Sequence, residues 1–483
     1  MVVICEDIPM AVARSAATRM SDEMRLGGSP VRRSSFVLVG EAQDPIQELV
    51  AESTKPACTP PPIDTIQLLI DLNDALLAYG TPTHRMEALV DALGESLHIP
   101  VKVYYLPTYT LLHFLGPLPP GKREQHIVKT RGGWDFDKLQ VLHALCKDLI
   151  RGRTNPAGAK KKLQDIRNMR DAWSELWIVA GYPVSAATSA IMFFNGNGWD
   201  ALASGLLASI PGGMRLIANR FPSLWWTYEI ICCALISVIA ASISSTRCYP
   251  SLLLSSVVTL LPGYTVTASV VEILTKNVIS GAVRLCYTVV YLAAMAYGLT
   301  LAPLFYNVAV GNGFLRRPPG VENACTAEQT IAVSHLWLIL CVPLYIASYN
   351  IYLKSPLRQW PVMTLIGALG YGISYLSKRI WHAPPEINAF TSALGIGLAS
   401  NIYARATDDL SFHAITAGVF IQVPGSWGLR GMLALAYQEY DRSLYWNYSM
   451  LVICVGIGGA LLMSNYMVWG FRLKNRRVPL TDF

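Results

Sequence analysis

Long apolar stretches alternate with short polar breaks from about residue 174 to residue 471. A helix needs roughly 20 consecutive apolar residues to cross the hydrocarbon core of a bilayer, and each stretch has about that length. The pattern therefore predicts an all-α polytopic membrane protein with about ten transmembrane helices. The predicted spans are residues 174–194, 199–219, 224–246, 250–273, 280–305, 331–350, 359–380, 386–406, 411–434 and 446–471.

Two of these spans carry a helix breaker in their middle. The fourth contains Pro262-Gly263, and the ninth contains Pro424-Gly425. Proline removes an amide donor and glycine loosens the backbone, so a helix is expected to break there. In lipid a broken helix survives only where it is buried in protein or lines a cavity. Interrupted spans at matching positions of two halves are a sequence pointer to a transporter's binding site.

The order of the spans divides the membrane region into two halves. The connecting loop 306–330 separates a first repeat, 173–305, from a second repeat, 331–472. Five spans in each half give the halves opposite orientations, so the layout predicts inverted repeats. Lys and Arg in the short loops favour cytoplasmic N- and C-terminal ends by fifteen to six. The pattern does not distinguish the plasma membrane from a vacuolar or other internal membrane.

The first third of the chain has a different composition and a different pattern of apolar residues. Residues 1–62 are rich in Ser, Ala, Arg and Pro and are expected to be a disordered tail, and 473–483 form a second tail. Residues 63–172 show helical and alternating apolar patterns, which predict a small soluble α+β domain. Its predicted helices are 64–79, 83–98, 135–150 and 160–171, and its predicted strands are 101–106, 109–115 and 126–130.

Composition agrees with a membrane protein. Hydrophobic residues make up 52% of the 483 residues and charged residues 15%, whereas soluble domains carry about 25% charge. The net charge of +7 is concentrated in the first third and in loops, so nucleic acid is not a predicted partner. The ten cysteines are scattered without a CxxC pair and are interpreted as free buried thiols. Neither a nucleotide-binding loop, a metal site nor a cofactor motif is predicted.

The two breaks supply the candidate substrate site. Freed carbonyls and half-helix ends there could bind the carboxylate and the ammonium of an amino acid. The alternative is a structural kink that neighbouring helices stabilise. The candidate substrate-binding residues are Pro262, Gly263, Tyr264, Pro424, Gly425 and Ser426.

Ionisable residues inside spans are candidates for the transport pathway or for ion coupling. A proton-coupled carrier needs a group whose charge changes during the cycle, and Glu272 or His413 could serve. The alternative is that these side chains lie at helix ends and reach the interface. The candidates are Glu229, Glu272, Arg284, His335, His413 and Arg430.

A polar cluster opens the second predicted helix. Thr81 or Thr83 could cap it, and His84 and Glu87 share one face, where His98 or His113 could complete a metal or acid–base site. The favoured alternative is that the cluster is structural, with Arg85 docking the soluble domain onto the membrane part. The signature residues are Gly80, Pro82, Thr83, His84, Arg85 and Glu87.

Three blocks of sequence resemble the threonine/serine exporter family, in particular its fungal, pheromone-regulated branch. They are LLAYGTPTHRME at 76–87, LPG at 261–263 with ISGAVRL at 279–285, and VPGSWGLRG at 423–431. The resemblance covers about 63–475 and implies a multi-pass transporter that exports small amino acids such as threonine or serine. Pro211-Gly212-Gly213 in the second span has no counterpart in the seventh, so the repeat is imperfect.

The leading hypothesis is secondary export of threonine- or serine-like amino acids by alternating access, with no enzymatic activity. The alternative is a membrane-anchored enzyme or sensor in which residues 63–170 do chemistry or bind a ligand. A structural membrane protein of mating or fusion is a third interpretation. The predicted partners are the lipid bilayer and a small polar solute, and the sequence leaves room for a homo-oligomer.

Overall fold

A computed structural model describes residues 63–107, 109–115, 125–129, 132–243, 248–309, 336–407 and 409–470. The predicted tails 1–62 and 473–483, most of the connecting loop 306–330, and His335 lie outside the described residues.

The region predicted as α+β begins the described chain. Helices α1 (Ile63–Ala78) and α2 (Thr83–Ser96) precede a three-stranded antiparallel sheet, and two helices follow it. The strands, in their order in the sheet, are β1 (Val101–Leu106), β2 (Tyr109–Phe114) and β3 (Gln125–Lys129), and the helices are α3 (Phe136–Ile150) and α4 (Pro156–Asn168). The alternating burial of β1 places every second side chain in the core, as a half-buried strand requires. We call the described residues within 63–170 the α+β segment.

The rest of the described chain is helical. The first half contains α5 (Glu175–Phe193), α6 (Gly198–Arg220), α7 (Tyr228–Ser242), α8 (Tyr249–Ser256), α9 (Gly263–Leu274) and α10 (Val278–Ala309). The second half contains α11 (Leu336–Tyr352), α12 (Trp360–Trp381), α13 (Pro385–Thr407), α14 (Ser411–Gln422), α15 (Gly425–Ala436) and α16 (Tyr440–Trp469). Short 3-10 turns precede α7 and α12.

Four helices of the described part are long and apolar enough to cross a membrane, namely α5, α6, α10 and α16. Helices α7, α9 and α11 are apolar but shorter. The predicted fourth and ninth spans are each divided into two short helices, α8–α9 and α14–α15, so neither half alone has the length of a span. The protein is therefore a predominantly helical membrane protein, and the number of ten spans stays a prediction.

The two halves repeat the same pattern of helix neighbours. Helix α7 packs on α10 as α13 packs on α16, and α9 packs on α10 as α15 packs on α16. Across the halves, α9 packs on α16 and α15 packs on α10, and α5 packs on α11. Corresponding helices thus have corresponding partners within and between the halves.

The α+β segment shares a hydrophobic core with the membrane helices. Its buried residues form one cluster with residues of α11, α12 and α14. The amide of Phe136 donates to the Leu353 carbonyl at 3.1 Å, and the indole of Trp173 donates to the Ser355 carbonyl at 2.9 Å. We call the side of the helices that carries the α+β segment the domain face, and the opposite side the far face.

One cysteine differs from the prediction that all ten are free thiols. Six cysteines of the described chain are free thiols, most of them buried, but Cys248 is disulfide-bonded. Cys248 directly precedes α8 and is itself buried. A disulfide partner is set by the fold, and the spacing of cysteines along this chain carries no signal for it.

Candidate functional site

Both predicted helix breaks are present, and their backbone geometry is nearly the same. Helix α9 begins at Gly263 and α15 begins at Gly425, each directly after a proline. Pro262 has φ −82° and ψ 33°, and Pro424 has φ −85° and ψ 41°. A proline is well placed before the first turn of a helix because the amide it lacks would have no partner within that helix.

The two breaks touch each other through their glycines. A Cβ added at Gly263 would lie 2.8 Å from the backbone nitrogen of Gly425, and one added at Gly425 would lie 3.0 Å from the nitrogen of Gly263. The separation at Gly263 is too short for a Cβ and the one at Gly425 is tight, so glycine at both positions lets the N-terminal ends of α9 and α15 meet in this way.

From this contact the two helices run to opposite faces. Helix α9 reaches the domain face, where Glu272 accepts a hydrogen bond from Thr83 of the α+β segment. Helix α15 runs to the far face. Tyr437, just after its end, lies near Tyr249 at the start of α8. Conversely, α14 begins at the domain face, where Arg85 donates to Ser411.

A cavity of about 900 Å³ adjoins the glycine contact. It extends toward the far face, where Leu338, Lys378 and Pro385 line it. Among the predicted substrate residues, those that line the cavity are Gly263, Pro424, Gly425 and Ser426. Pro262 and Tyr264 are not part of its lining, and Tyr264 instead lies behind Phe420, a residue of the cavity wall.

The charged side chains in the described lining of the cavity are all cationic. Its described lining includes Lys378 and Arg430 but no Asp or Glu. The guanidinium of Arg430 lies over the ring of Trp446, 5.0 Å from its centroid. The N-terminal end of α15 adds a partial positive charge, and the C-terminal end of α14, with Gln422, adds a partial negative charge. The cavity can thus bind an anionic group at one helix end and a cationic group at the other.

Sequence reasoning missed several residues of the cavity wall. Asn388 of α13 donates to the Ser374 hydroxyl at 2.9 Å, and its buried Oδ1 has no hydrogen-bond partner within the described structure. An asparagine in an apolar span is a signal that could have identified it. The aromatic residues Tyr345, Tyr349 and Tyr371 also line the cavity, but nothing in the sequence distinguishes them from ordinary packing.

Glu272 is the most completely bonded ionisable residue among the candidates. It is 3% exposed. Its Oε1 accepts a hydrogen bond from the Thr83 hydroxyl at 2.9 Å and pairs with Nη1 of Arg284 at 2.8 Å. Its Oε2 accepts from the Ser280 hydroxyl at 2.8 Å. Nη2 of Arg284 donates to the Tyr105 hydroxyl at 3.1 Å, so the pair connects α9 and α10 to β1.

The signature at the start of α2 faces the membrane helices. Nη2 of Arg85 donates to the Ser411 hydroxyl at 3.3 Å, and its guanidinium lies over the Phe412 ring. The Asn277 amide donates to Glu87 at 3.2 Å. The sequence offers Thr81 or Thr83 as the cap of α2, but Pro82 precedes the helix and α2 has no side-chain cap. The Thr83 hydroxyl donates to Glu272 instead.

The other signature residues shape the turn before α2. Gly80 has φ +95°, and a Cβ there would lie 2.8 Å from the ring of Trp134. Pro82 is the residue directly before α2 and offers its carbonyl to the amide of Met86. The side chain of His84 lies outside the described part of the structure. No group of three or more His, Cys, Asp or Glu within the described ranges could hold a metal ion.

The remaining candidates lie away from the cavity. His413 is buried at the start of α14, where it hydrogen-bonds Gln359 and stacks on Phe136 of the α+β segment. Glu229 lies in the first turn of α7 and is half-buried. The cavity therefore brings together the second break and Arg430, and the Glu272–Arg284 pair lies on the domain side of the first break.

A threonine/serine exporter model, ThrE, matches residues 67–306, and a second one, ThrE_2, matches residues 338–467. Pheromone-regulated membrane protein 10 of Yarrowia lipolytica is 26% identical over 76% of this chain and 30% of its own length. The protein of that name in Candida albicans is 23% identical over 84% of this chain and 38% of its own length.

An uncharacterized protein of Schizosaccharomyces pombe is 23% identical over 85% of this chain and 52% of its own length. The chain thus spans about half or less of the length of these three relatives. No solved structure gives a significant match to this chain.

Gly263→Ala is expected to destabilise the protein, because the new Cβ would press on Gly425 and on Val423. Overpacking of this kind costs about 1–3 kcal/mol, and thermal unfolding in detergent measures it. The matched control is Gly213→Ala in α6, where a Cβ meets nothing within 4 Å. Equal unfolding midpoints for the two variants would mean that the breaks do not touch.

Glu87→Gln is expected to stabilise the protein at neutral pH. Burial raises the pKa of the Glu87 carboxyl, the charges of Asp91 and Glu272 raise it further, and the hydrogen bond from Asn277 partly offsets the rise. The folded protein therefore holds this proton more tightly than the unfolded chain, so ionised Glu87 costs stability at pH 7.

That cost disappears as the pH falls to the ordinary glutamate value of ~4.3. The unfolding midpoint of Glu87→Gln should exceed that of the parent at pH 7 to 8, and the gap should close near pH 4. Glu95→Gln, at an exposed glutamate of the same helix, is the matched control for the substitution itself. A gap that widens in acid would contradict the assignment.

Proposed function

Because the chain belongs to the threonine/serine exporter family, we propose that it is a secondary transporter that exports a small polar amino acid by alternating access. A membrane transporter follows from the family. The amino-acid substrate and the mechanism are the proposal, and they are supported chiefly by one observation. Two helix N-termini, at Gly263 and Gly425, meet beside a cavity large enough for a small solute.

The chemistry of the cavity suits an amino acid. A carboxylate would be stabilised at the N-terminal end of α15, where Gly425 and Ser426 line the cavity, and by Arg430 nearby. An ammonium would be stabilised by the carbonyls at the C-terminal end of α14 and by aromatic faces such as that of Tyr349. A break in one helix thereby supplies complementary partial charges at adjacent positions.

The repeated packing of the two halves supports alternating access between inverted repeats. Corresponding helices have corresponding neighbours, and α9 and α15 leave the glycine contact in opposite directions. If the halves exchange conformations, the region around the first break becomes the cavity and the region around the second break closes. The present conformation is the one in which the cavity extends toward the far face.

Two independent features favour a cytoplasmic domain face. Lys and Arg in short loops are more frequent on the side of the N-terminal segment. Cys248 at the far face is disulfide-bonded, and disulfides persist in oxidising compartments outside the cytosol. In this orientation the cavity would be open to the compartment that receives an exported solute.

Glu272 is the proposed coupling residue. It lies in the third turn of α9, between the first break and the domain face. Its only described cationic partner is Arg284. Protonation would remove the charge that holds α9 to α10 and to Thr83. The alternative of an enzymatic α+β segment finds no support in the described contacts, since Thr83, Arg85 and Glu87 are occupied by the membrane helices.

Arg430→Met should weaken the transport of threonine and serine in proteoliposomes. The loss of a charged hydrogen-bond donor to a carboxylate costs about 1.5–3 kcal/mol, which is roughly 10- to 100-fold in apparent affinity. Arg442→Met is the control, because Arg442 is exposed, pairs with Glu439 and does not line the cavity. A full panel of labelled amino acids that shows no flux with the parent protein would overturn the proposed function.

Glu272→Gln should separate exchange from gradient-driven transport. The amide retains the shape of the carboxylate but cannot gain or lose a proton, so solute exchange at equal concentrations should persist while uphill transport and its pH dependence are lost. Glu439→Gln, a surface carboxylate, is the control. An unchanged pH profile of uphill transport in Glu272→Gln would remove the coupling role.

A further inference from the structure

We propose that the α+β segment is the gate of the transport path at the domain face. Docked as in this structure, it closes the path, and the path opens to the domain face only when the segment lifts from the broken helices. This inference rests on the proposed transport function. It gives residues 63–170 a task that the membrane helices alone do not perform.

A column of aromatic rings leads from the cavity to the α+β segment. Phe420 and Tyr349 line the cavity, with their ring centroids 4.8 Å apart. Tyr264 stacks on the other side of this layer, 5.0 Å from Phe420 and nearly parallel to it. Trp134 of the α+β segment then meets Tyr264 edge to face at 5.2 Å. The outermost ring of the closed path therefore belongs to the α+β segment.

The backbone around Trp134 is held by the turn that precedes α2. The amide of Asp135 donates to the Tyr79 carbonyl at 3.3 Å. A Cβ on Gly80 would collide with the Trp134 ring, and a Cβ on Gly133 would lie 2.7 Å from the Ala78 carbonyl. The two glycines thus allow the ring to lie against this turn. Trp134 is positioned by the same signature turn that begins α2.

The contacts of the segment reach both broken spans. Thr83 bonds Glu272 of α9 in the first half, and Arg85 bonds Ser411 of α14 in the second half. A rearrangement that opens the path at the domain face must move α9 and α14 apart, as in other rigid-body transitions between repeats. Because both helices are bonded to the same short helix α2, they cannot separate while the segment is docked on both.

A second set of contacts lies beside the connection to α5 and provides a place about which the segment can turn. Asp171 pairs with Lys138 of α3 at 2.7 Å and also with Lys354, which follows α11. The amide of Asp137 donates to the Lys354 carbonyl at 3.3 Å. These bonds join α3 to the chain just before α5 and just after α11 and do not involve α2, so they can persist while the contacts of α2 break.

The test joins the segment to the membrane part with a reducible crosslink. Asn277 and Glu87 are in hydrogen-bond contact across the interface, so Glu87→Cys with Asn277→Cys can be bridged by a short bifunctional methanethiosulfonate. The matched control is Asp91→Cys with Lys102→Cys, a pair in contact within the segment at 2.9 Å. The parent protein, treated in parallel, measures any reaction of the native cysteines.

The gate predicts at least a tenfold fall in threonine and serine flux in the bridged Glu87/Asn277 protein, with recovery after reduction, and no change in the bridged control. Equal flux before and after reduction would overturn it. If the proposed transport function itself is wrong, the reduced proteins also show no flux. Hydrogen exchange then tests the gate without a solute. If the segment undocks, the amides of residues 132–137 exchange more slowly in the bridged protein than in the reduced one. Equal exchange rates in the two forms would exclude undocking.

Discussion

The backbone contact between Gly263 and Gly425 is the constraint on which the membrane part depends. Helix ends inside a membrane leave amide groups that cannot be left in lipid, where each unpaired group costs several kcal/mol. The structure places both N-terminal ends against each other, inside protein and beside a cavity. A side chain at Gly263 would force them apart, and one at Gly425 would press on Gly263. The contact brings the two halves of the chain together beside the cavity.

The same break occurs twice, with different side chains around it. Tyr264 follows Gly263, and its ring lies behind the aromatic wall of the cavity. Ser426 follows Gly425 and lines the cavity itself. The charges differ likewise, since the cavity has Arg430 and Lys378 in its wall, whereas the Glu272 carboxylate on the domain side is bonded to its neighbours. The proposed alternating-access carrier would need such differences between the side chains of two similar breaks, because each state must be stabilised by its own contacts.

The sequence predicted what local chemistry decides. Both breaks and strand 101–106 lie where proline, glycine and alternation indicated them, because these signals act on neighbouring residues. Contacts between distant positions were not predictable in this way. The Thr83–Glu272 bond joins residues 189 positions apart, and the cavity wall collects side chains such as Asn388 from helices of both halves. The prediction of free cysteines was wrong for Cys248 for the same reason, since its partner is chosen by the fold.

The start of α2 shows how a local rule yields to the larger structure. A threonine beside a helix start ordinarily caps it, yet α2 has no side-chain cap and Thr83 donates to a carboxylate of another helix. That carboxylate brings negative charge to the positive end of α2, so Glu272 stabilises the helix start from outside. Natural sequences depart from local rules mainly where function demands it. At Thr83 a tertiary contact between the α+β segment and α9 therefore takes precedence over the local cap of α2.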